Sequence, residues 1–152
     1  MSTSDKHPSP RSTARLGAVQ ALYQIEISDE IKVDALIQEY RKHRFGQEIE
    51  GDQYGEADEE LFADILKGAT ERRDEIDAEM SKCLRDGWPI ERLERVLRAT
   101  IRAAGYELIA RPDVPTNVII NEYVEVTKAF YDKAQISFVN GVLDKMSKTI
   151  RS

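Results

Sequence analysis

The spacing of apolar residues constrains this chain more than any other feature. Ile119, Tyr123, Val126 and Phe130 follow one another by four, three and four positions, and Val139, Leu143, Met146 and Ile150 repeat the pattern. Steps of three and four place side chains on one face of an α-helix, whereas a half-buried strand alternates by two. No stretch alternates by two for long enough to name a strand, and no internal repeat or low-complexity tract is present. The spacing therefore predicts an all-α fold in which each helix hides one stripe.

Breaker residues divide the pattern. Residues 1–10 carry Pro8 and Pro10 and no apolar period, and read as a flexible tail. A first helix spans Arg11 to Ile27, with Ser12 and Thr13 as candidate caps. A second runs from Glu30 to Phe45, with Ile31, Ala35 and Leu36 inward. Gly46, Gly51 and Gly55 among acids mark 46–57 as a loop. A third periodic segment continues from Ala57 to Leu84 with a bend. Asp58, Glu59 and Glu60 suit its positive N-terminal end. Asp86-Gly87-Trp88-Pro89 stops it and is the best boundary between two helical halves, about 11–86 and 89–152. Further helices span Ile90–Ala110, Thr116–Phe130 and Ser137–Ile150. They are joined by the rigid Arg111-Pro112-Asp113-Val114-Pro115 connector and a turn at 131–136. The expectation is two packed antiparallel helical bundles, about seven helices in a single domain over 11–152.

Composition bounds the function. At 152 residues with 41% hydrophobic and 33% charged side chains, one compact domain can bury a core. The longest apolar runs are too short to span a bilayer, and the N-terminus lacks a signal peptide's apolar stretch. The single Cys83 excludes an internal disulfide and fits a reducing cytoplasm. The net charge of −6 is uneven: residues 26–80 hold 18 acids against 7 bases, and the rest hold 10 against 15. An acidic chain with a basic remainder does not exclude nucleic acid, because binding depends on a local surface.

Catalytic signals are thin. The only histidines are His7 and His43, far apart in the chain, and Cys83 has no histidine near it in sequence. No phosphate-binding glycine motif occurs, so no enzyme activity, metal or cofactor is expected.

Specific words carry the reading further. The first helix contains Ala14-Arg15-Leu16-Gly17-Ala18-Val19-Gln20-Ala21-Leu22-Tyr23-Gln24. A later helix contains Leu97-Arg98-Ala99-Thr100-Ile101-Arg102, followed by Gly105-Tyr106-Glu107-Leu108. Then come Asp113-Val114-Pro115, Ile120-Asn121-Glu122 and Phe138-Val139-Asn140-Gly141-Val142-Leu143-Asp144. In this order and spacing, over about 11–151, the chain resembles the NusB family of transcription antitermination factors. The resemblance implies a two-bundle helical fold and an RNA-binding adaptor. Such an adaptor binds the boxA element of ribosomal RNA leaders together with NusE, which is also a small-subunit ribosomal protein. It helps the RNA polymerase elongation complex, with other Nus factors, to resist termination.

Five residues are the RNA-binding candidates under this resemblance. Arg11 and Arg15 match the family's arginine-rich helix start, where a planar guanidinium and free backbone N–H groups suit phosphate. Tyr23 and Phe138 are aromatics able to stack an unpaired base, with core packing as the alternative. Arg102 either reaches RNA or braces Glu107 or Glu122 across the bundle. Asn140-Gly141 reads as a close helix contact, and Asn121-Glu122 as a buried polar link. The chain departs from the family where Ser12 and Thr13 separate Arg11 from Arg15, and at Ala134-Gln135, where an acid and a serine are common.

Two other readings stay open. NusB-like domains occur fused to RNA cytosine methyltransferases, although this chain runs out at Ser152, just after the last helix. A helical scaffold could instead dock basic proteins on its acidic half without touching RNA. The sequence sets no oligomeric state, and a homodimer hiding the basic surface is compatible with it.

Overall fold

The computed structural model describes residues 9–28, 30–45, 48–49, 52–53, 57–85 and 88–151. The tail expected over 1–10 lies outside these residues except for Ser9 and Pro10, and those two open the first helix. Helix α1 spans Pro10–Ile27. Ser9, not Ser12 or Thr13, is its cap, accepting from the Ser12 N–H, and Pro10 occupies the first turn, where a missing N–H costs nothing.

Helix α2, Val33–His43, is shorter than the periodicity suggested. It buries Leu36, Ile37 and Tyr40 and leaves Ala35 exposed, because the helix begins after Ile31 and turns a different stripe inward. In the expected loop, β1 (Glu48–Ile49) pairs antiparallel with β2 (Asp52–Gln53), with Glu48 opposite Gln53. These are the only strands among the described residues, and the fold is all-α.

The long third segment is two helices, α3 (Glu59–Glu71) and α4 (Arg73–Cys83), broken at Arg72. Asp58 caps α3 through the Leu61 N–H. Just before the break, the Thr70 hydroxyl bonds back to the Leu66 carbonyl, a contact that bends helices. The next helix also starts late. A 3₁₀ turn covers Ile90–Arg92, and α5 runs Arg95–Ala110 with Glu94 accepting from the Val96 N–H. Helix α6 is Thr116–Lys128. It ends before Phe130, which is 40% exposed instead of completing the inward stripe. Helix α7, Lys133–Ile150, begins four residues earlier than the expected Ser137, its ladder opening with Ile136 N–H to Asp132 O.

Helix α5 is central. It packs against α1, α3, α4, α6 and α7, and an unbroken run from Leu97 to Leu108 is buried. Such a helix needs small residues and satisfied polar groups all round. Tyr106 lies directly over Gly68 of α3, and its hydroxyl donates to Asp64, which also takes Arg111 at 2.6 Å. At the far end, Arg151 donates to the carbonyls of Leu108, Arg111 and Val114, tying the end of α7 to the proline connector.

Gly68 and Gly141 behave oppositely. A Cβ at Gly68 would collide with the Tyr106 ring, while one at Gly141 would meet nothing within 4 Å. Gly141 therefore makes no close helix contact, and Asn140 beside it is exposed. Urea unfolding of Gly68→Ala should show a loss of about 1–3 kcal/mol from overpacking. Gly141→Ala should gain up to about 1 kcal/mol by helix propensity alone. Burial and then Asp64 push the Tyr106 hydroxyl up to about 12. A raised pKa adds stability below the unfolded value near 10 and loses it as pH rises through the folded one. Stability measured by chemical denaturation should thus fall between about pH 10 and 12, and Tyr106→Phe should flatten that fall.

Candidate nucleic-acid interface

The start of α1 carries the first two candidate arginines, and the structure separates them. Arg11 is 49% exposed, with Nε 3.8 Å from the Asp58 carboxylate, too far for a hydrogen bond. Its donors stay available to a ligand. The backbone beneath it is held by the Asp58 N–H donating to the Pro10 carbonyl at 2.9 Å.

Arg15, one turn on, is only 2% exposed. Its Nε and Nη2 donate to the two Glu107 oxygens at 2.8 and 3.0 Å, and Nη1 donates to Glu122 at 3.2 Å. The Tyr123 hydroxyl also donates to Glu107, and the Ser12 hydroxyl to Glu122 at 2.7 Å. Burial opposes the Arg15 charge, but the hydrogen bond and attraction of Glu107 overcome it and hold the pKa above its ordinary value. Burial, and then Glu107, likewise push the Tyr123 hydroxyl well up, so it stays a donor. A guanidinium so engaged joins α1 to α5 and α6 and has no free face for phosphate.

Arg102 is a brace too, but not to the partners expected. Arg15 holds Glu107 and Glu122, whereas Arg102 donates to both oxygens of Asp77 on α4 at 2.9 Å and to Glu26 on α1 at 2.9 Å. Arg98 takes both oxygens of Glu26 as well. Burial works against the Glu26 charge, yet Arg98 and then Arg102 hold its pKa below the usual range. Of the polar pair Asn121-Glu122, only Glu122 forms the link; Asn121 is exposed.

Tyr23 is half-buried and lines an open groove of about 390 Å³ between α1, α2, α5 and the end of α6. Gln20 and Gln24 flank Tyr23 on α1, Tyr40 and Arg44 come from α2, Val96 from α5, and Phe130 closes the far wall. The Tyr40 hydroxyl donates to Gln24 Oε1 at 2.9 Å, which leaves the Gln24 amide N–H groups as donors. The Arg44 guanidinium lies 4.7 Å from the Tyr40 ring centre. Three aromatic walls, two amides and a cation suit a flat heterocycle with hydrogen-bonding edges, such as an unstacked base.

Phe138 stands half-buried on α7, packed against the core. Arg11 and Tyr23 lie at opposite ends of α1, about 18 Å apart at 1.5 Å per residue, so no single patch gathers the candidates. Sequence reasoning missed Gln20, Gln24, Arg44 and Phe130. Gln20 and Gln24 were findable, since they sit three before and one after Tyr23. Phe130 was not, because its apolar spacing placed it inside.

Among the described residues, no group of His, Cys, Asp or Glu could hold a metal, and no helix is long and apolar enough to cross a membrane. Comparison with known proteins then places the chain. The pattern of the NusB family matches residues 12–148. Transcription antitermination protein NusB of Caulobacter vibrioides is 47% identical, covering 93% of this chain and 95% of that protein. That of Sphingopyxis alaskensis is 48% identical, covering 97% and 98%. The solved NusB of T. maritima superposes with TM-score 0.74 at 29% identity, covering 92% of each chain. A chain from antitermination factors NusB and NusE in complex with dsRNA has the same fold, with TM-score 0.74 at 23% identity over 91% and 96%. With near-complete coverage in both sequence and fold, this chain belongs to the NusB family.

Proposed function

We propose that this chain is an RNA-binding transcription antitermination factor. It takes boxA RNA together with NusE and acts on the RNA polymerase elongation complex alongside other Nus factors. The observation that carries the reading is the Tyr23 groove, in which stacking surfaces, amide groups and Arg44 converge on a space of about 390 Å³. Its shape and chemistry suit one base lifted from its stack. The curated relatives bear the antitermination name, and a structural neighbour was solved with NusE and double-stranded RNA, which supports the same partners here.

Within this function the candidates divide. Tyr23 stacks a base, with Phe130 opposite, while Arg11 meets phosphate and Phe138 lends a further aromatic edge. Arg15 and Arg102 are positioning residues, fixing α1 on which Arg11 and Tyr23 stand. NusE adds contacts to the same RNA, so the pair binds more tightly than either alone. No catalytic step is assigned.

Fluorescence anisotropy tests this with a boxA oligonucleotide and a scrambled control, with and without NusE, at two salt concentrations. Binding should be boxA-selective and tighter with NusE. Equal affinity for both RNAs, or none with NusE present, overturns the reading. Tyr23→Ala and Phe130→Ala should each weaken binding by about 1–3 kcal/mol, roughly 5- to 150-fold. Arg11→Ala should lower the slope of log affinity against log salt by about 0.7, the loss of one single-strand phosphate contact. Arg15→Ala should differ in kind. It strands Glu107 in the core and should lower folding stability by about 3–5 kcal/mol in urea unfolding.

A further inference from the structure

Tyr40 lines the Tyr23 groove although it is only 1% exposed, and its hydroxyl donates to Gln24 Oε1 at 2.9 Å. The ring is held in place: Phe62 stacks on it with ring centres 4.9 Å apart, and Phe45 tilts against it at 5.5 Å. Burial raises the pKa of the Tyr40 hydroxyl against the opposing pull of Arg44, so the proton it donates stays on. A buried, protonated and immobile hydroxyl thus meets one end of a side-chain amide at the edge of the groove.

A glutamine amide has a donor end and an acceptor end, and a half-turn exchanges them. Gln24 is not free to make that turn. Among the described residues the Tyr40 proton has no acceptor but Gln24 Oε1, so a flipped amide would leave a buried hydroxyl proton unpaired. Its Nε2, which has no protein partner among the described residues, is therefore left to the groove as a donor. Gln20 lies one turn earlier on α1 and lines the same groove, with no hydrogen bond among the described residues. It can present either end. A free amide adapts to whatever faces it and selects nothing, whereas a fixed one selects.

We infer that Gln24 is the specificity-determining contact of the groove, with Tyr40 as its positioning residue, and that the groove takes a keto base, uracil or guanine, in preference to cytosine or adenine. The inference rests on the functional reading above. Uracil and guanine carry a carbonyl oxygen where cytosine and adenine carry an amino group. The oxygen accepts from Gln24 Nε2. An amino group in its place sets two donors against each other and leaves both unpaired. Uracil and cytosine stack almost alike on an aromatic ring, so the amide and not the stacking separates them.

The test is anisotropy, with NusE present, on boxA RNA and a set in which each base in turn is exchanged between its keto and amino forms, uridine with cytidine and guanosine with adenosine. The parent chain, Tyr40→Phe, Gln24→Ala, Gln24→Glu and Gln20→Ala are compared, with circular dichroism as the check on folding. In the parent, one position should prefer the keto base by about tenfold or more. At that position Tyr40→Phe, which frees the amide to turn, and Gln24→Ala should both bring the ratio to within about threefold of unity. Gln24→Glu, which offers only acceptors, should reverse the preference, and Gln20→Ala should keep the parent's ratio. The ratio is the readout because a merely structural loss weakens both forms alike. If Tyr40→Phe fails to fold, the Gln24 variants decide. A parent that selects boxA but prefers the keto form at no position overturns the inference and leaves the antitermination reading standing. So does the parent's ratio persisting in folded Tyr40→Phe or Gln24→Ala. A parent that binds boxA and scrambled RNA equally overturns the functional reading and this inference with it.

Discussion

A guanidinium removed from water loses several kcal/mol of solvation, and only a near-complete set of hydrogen-bonded anions offsets that loss. Arg15 has such a set in Glu107 and Glu122, and α1 is bound to α5 and α6 through it. The same device recurs at the other end of α1, where Glu26 meets Arg98 and Arg102. The pairs run in opposite senses, Arg15 with Glu107 and Glu26 with Arg98. Eleven residues along α1 thus span nine along α5, which defines an antiparallel register. A slip of one turn would leave charges buried without partners, a penalty far above what apolar packing alone imposes for the same slip.

That register decides which side chains remain for function. With α1 held at both ends, its buried face supplies Ala14, Ala18 and Ala21, small residues that let α3 and α5 approach. Gln20, Tyr23 and Gln24 lie where α2 and the end of α6 do not close over the helix. The groove is a gap in helix packing with its walls held rigid from below. Tyr40 shows the coupling: its ring stacks on Phe62 in the core while its hydroxyl holds Gln24 at the groove. Stability and recognition are thus served by neighbouring atoms, and the groove wall is held by the same residues that pack the core.

The two ion clusters also divide the surface. On one side of the start of α5, Val96 contributes to an aromatic groove; on the other, Arg95 borders a charge-balanced cavity. One short stretch of backbone thereby borders two chemically different surfaces, one aromatic and amide-lined and one lined by paired charges.

Helical class, the number of helices and most of the buried stripe were legible in the sequence, because periodicity and breakers act locally and each helix must hide one face. The family was legible from words such as Phe138-Val139-Asn140-Gly141. Helix ends were read less well. Ser9 caps α1 in place of Ser12, the third segment divides at Arg72, and α7 begins at Lys133. The arginines were the hardest to place. In sequence Arg11 and Arg15 are equivalent members of a basic helix start, and nothing local separates a guanidinium in solvent from one in the core. What separates them is Glu107 and Glu122, more than ninety residues away, which meet Arg15 and not Arg11. Local chemistry determined the fold class and the kinds of residue available for RNA. Only the tertiary structure decided which of them face outward, since burial of a charge depends on partners that the chain brings together by folding.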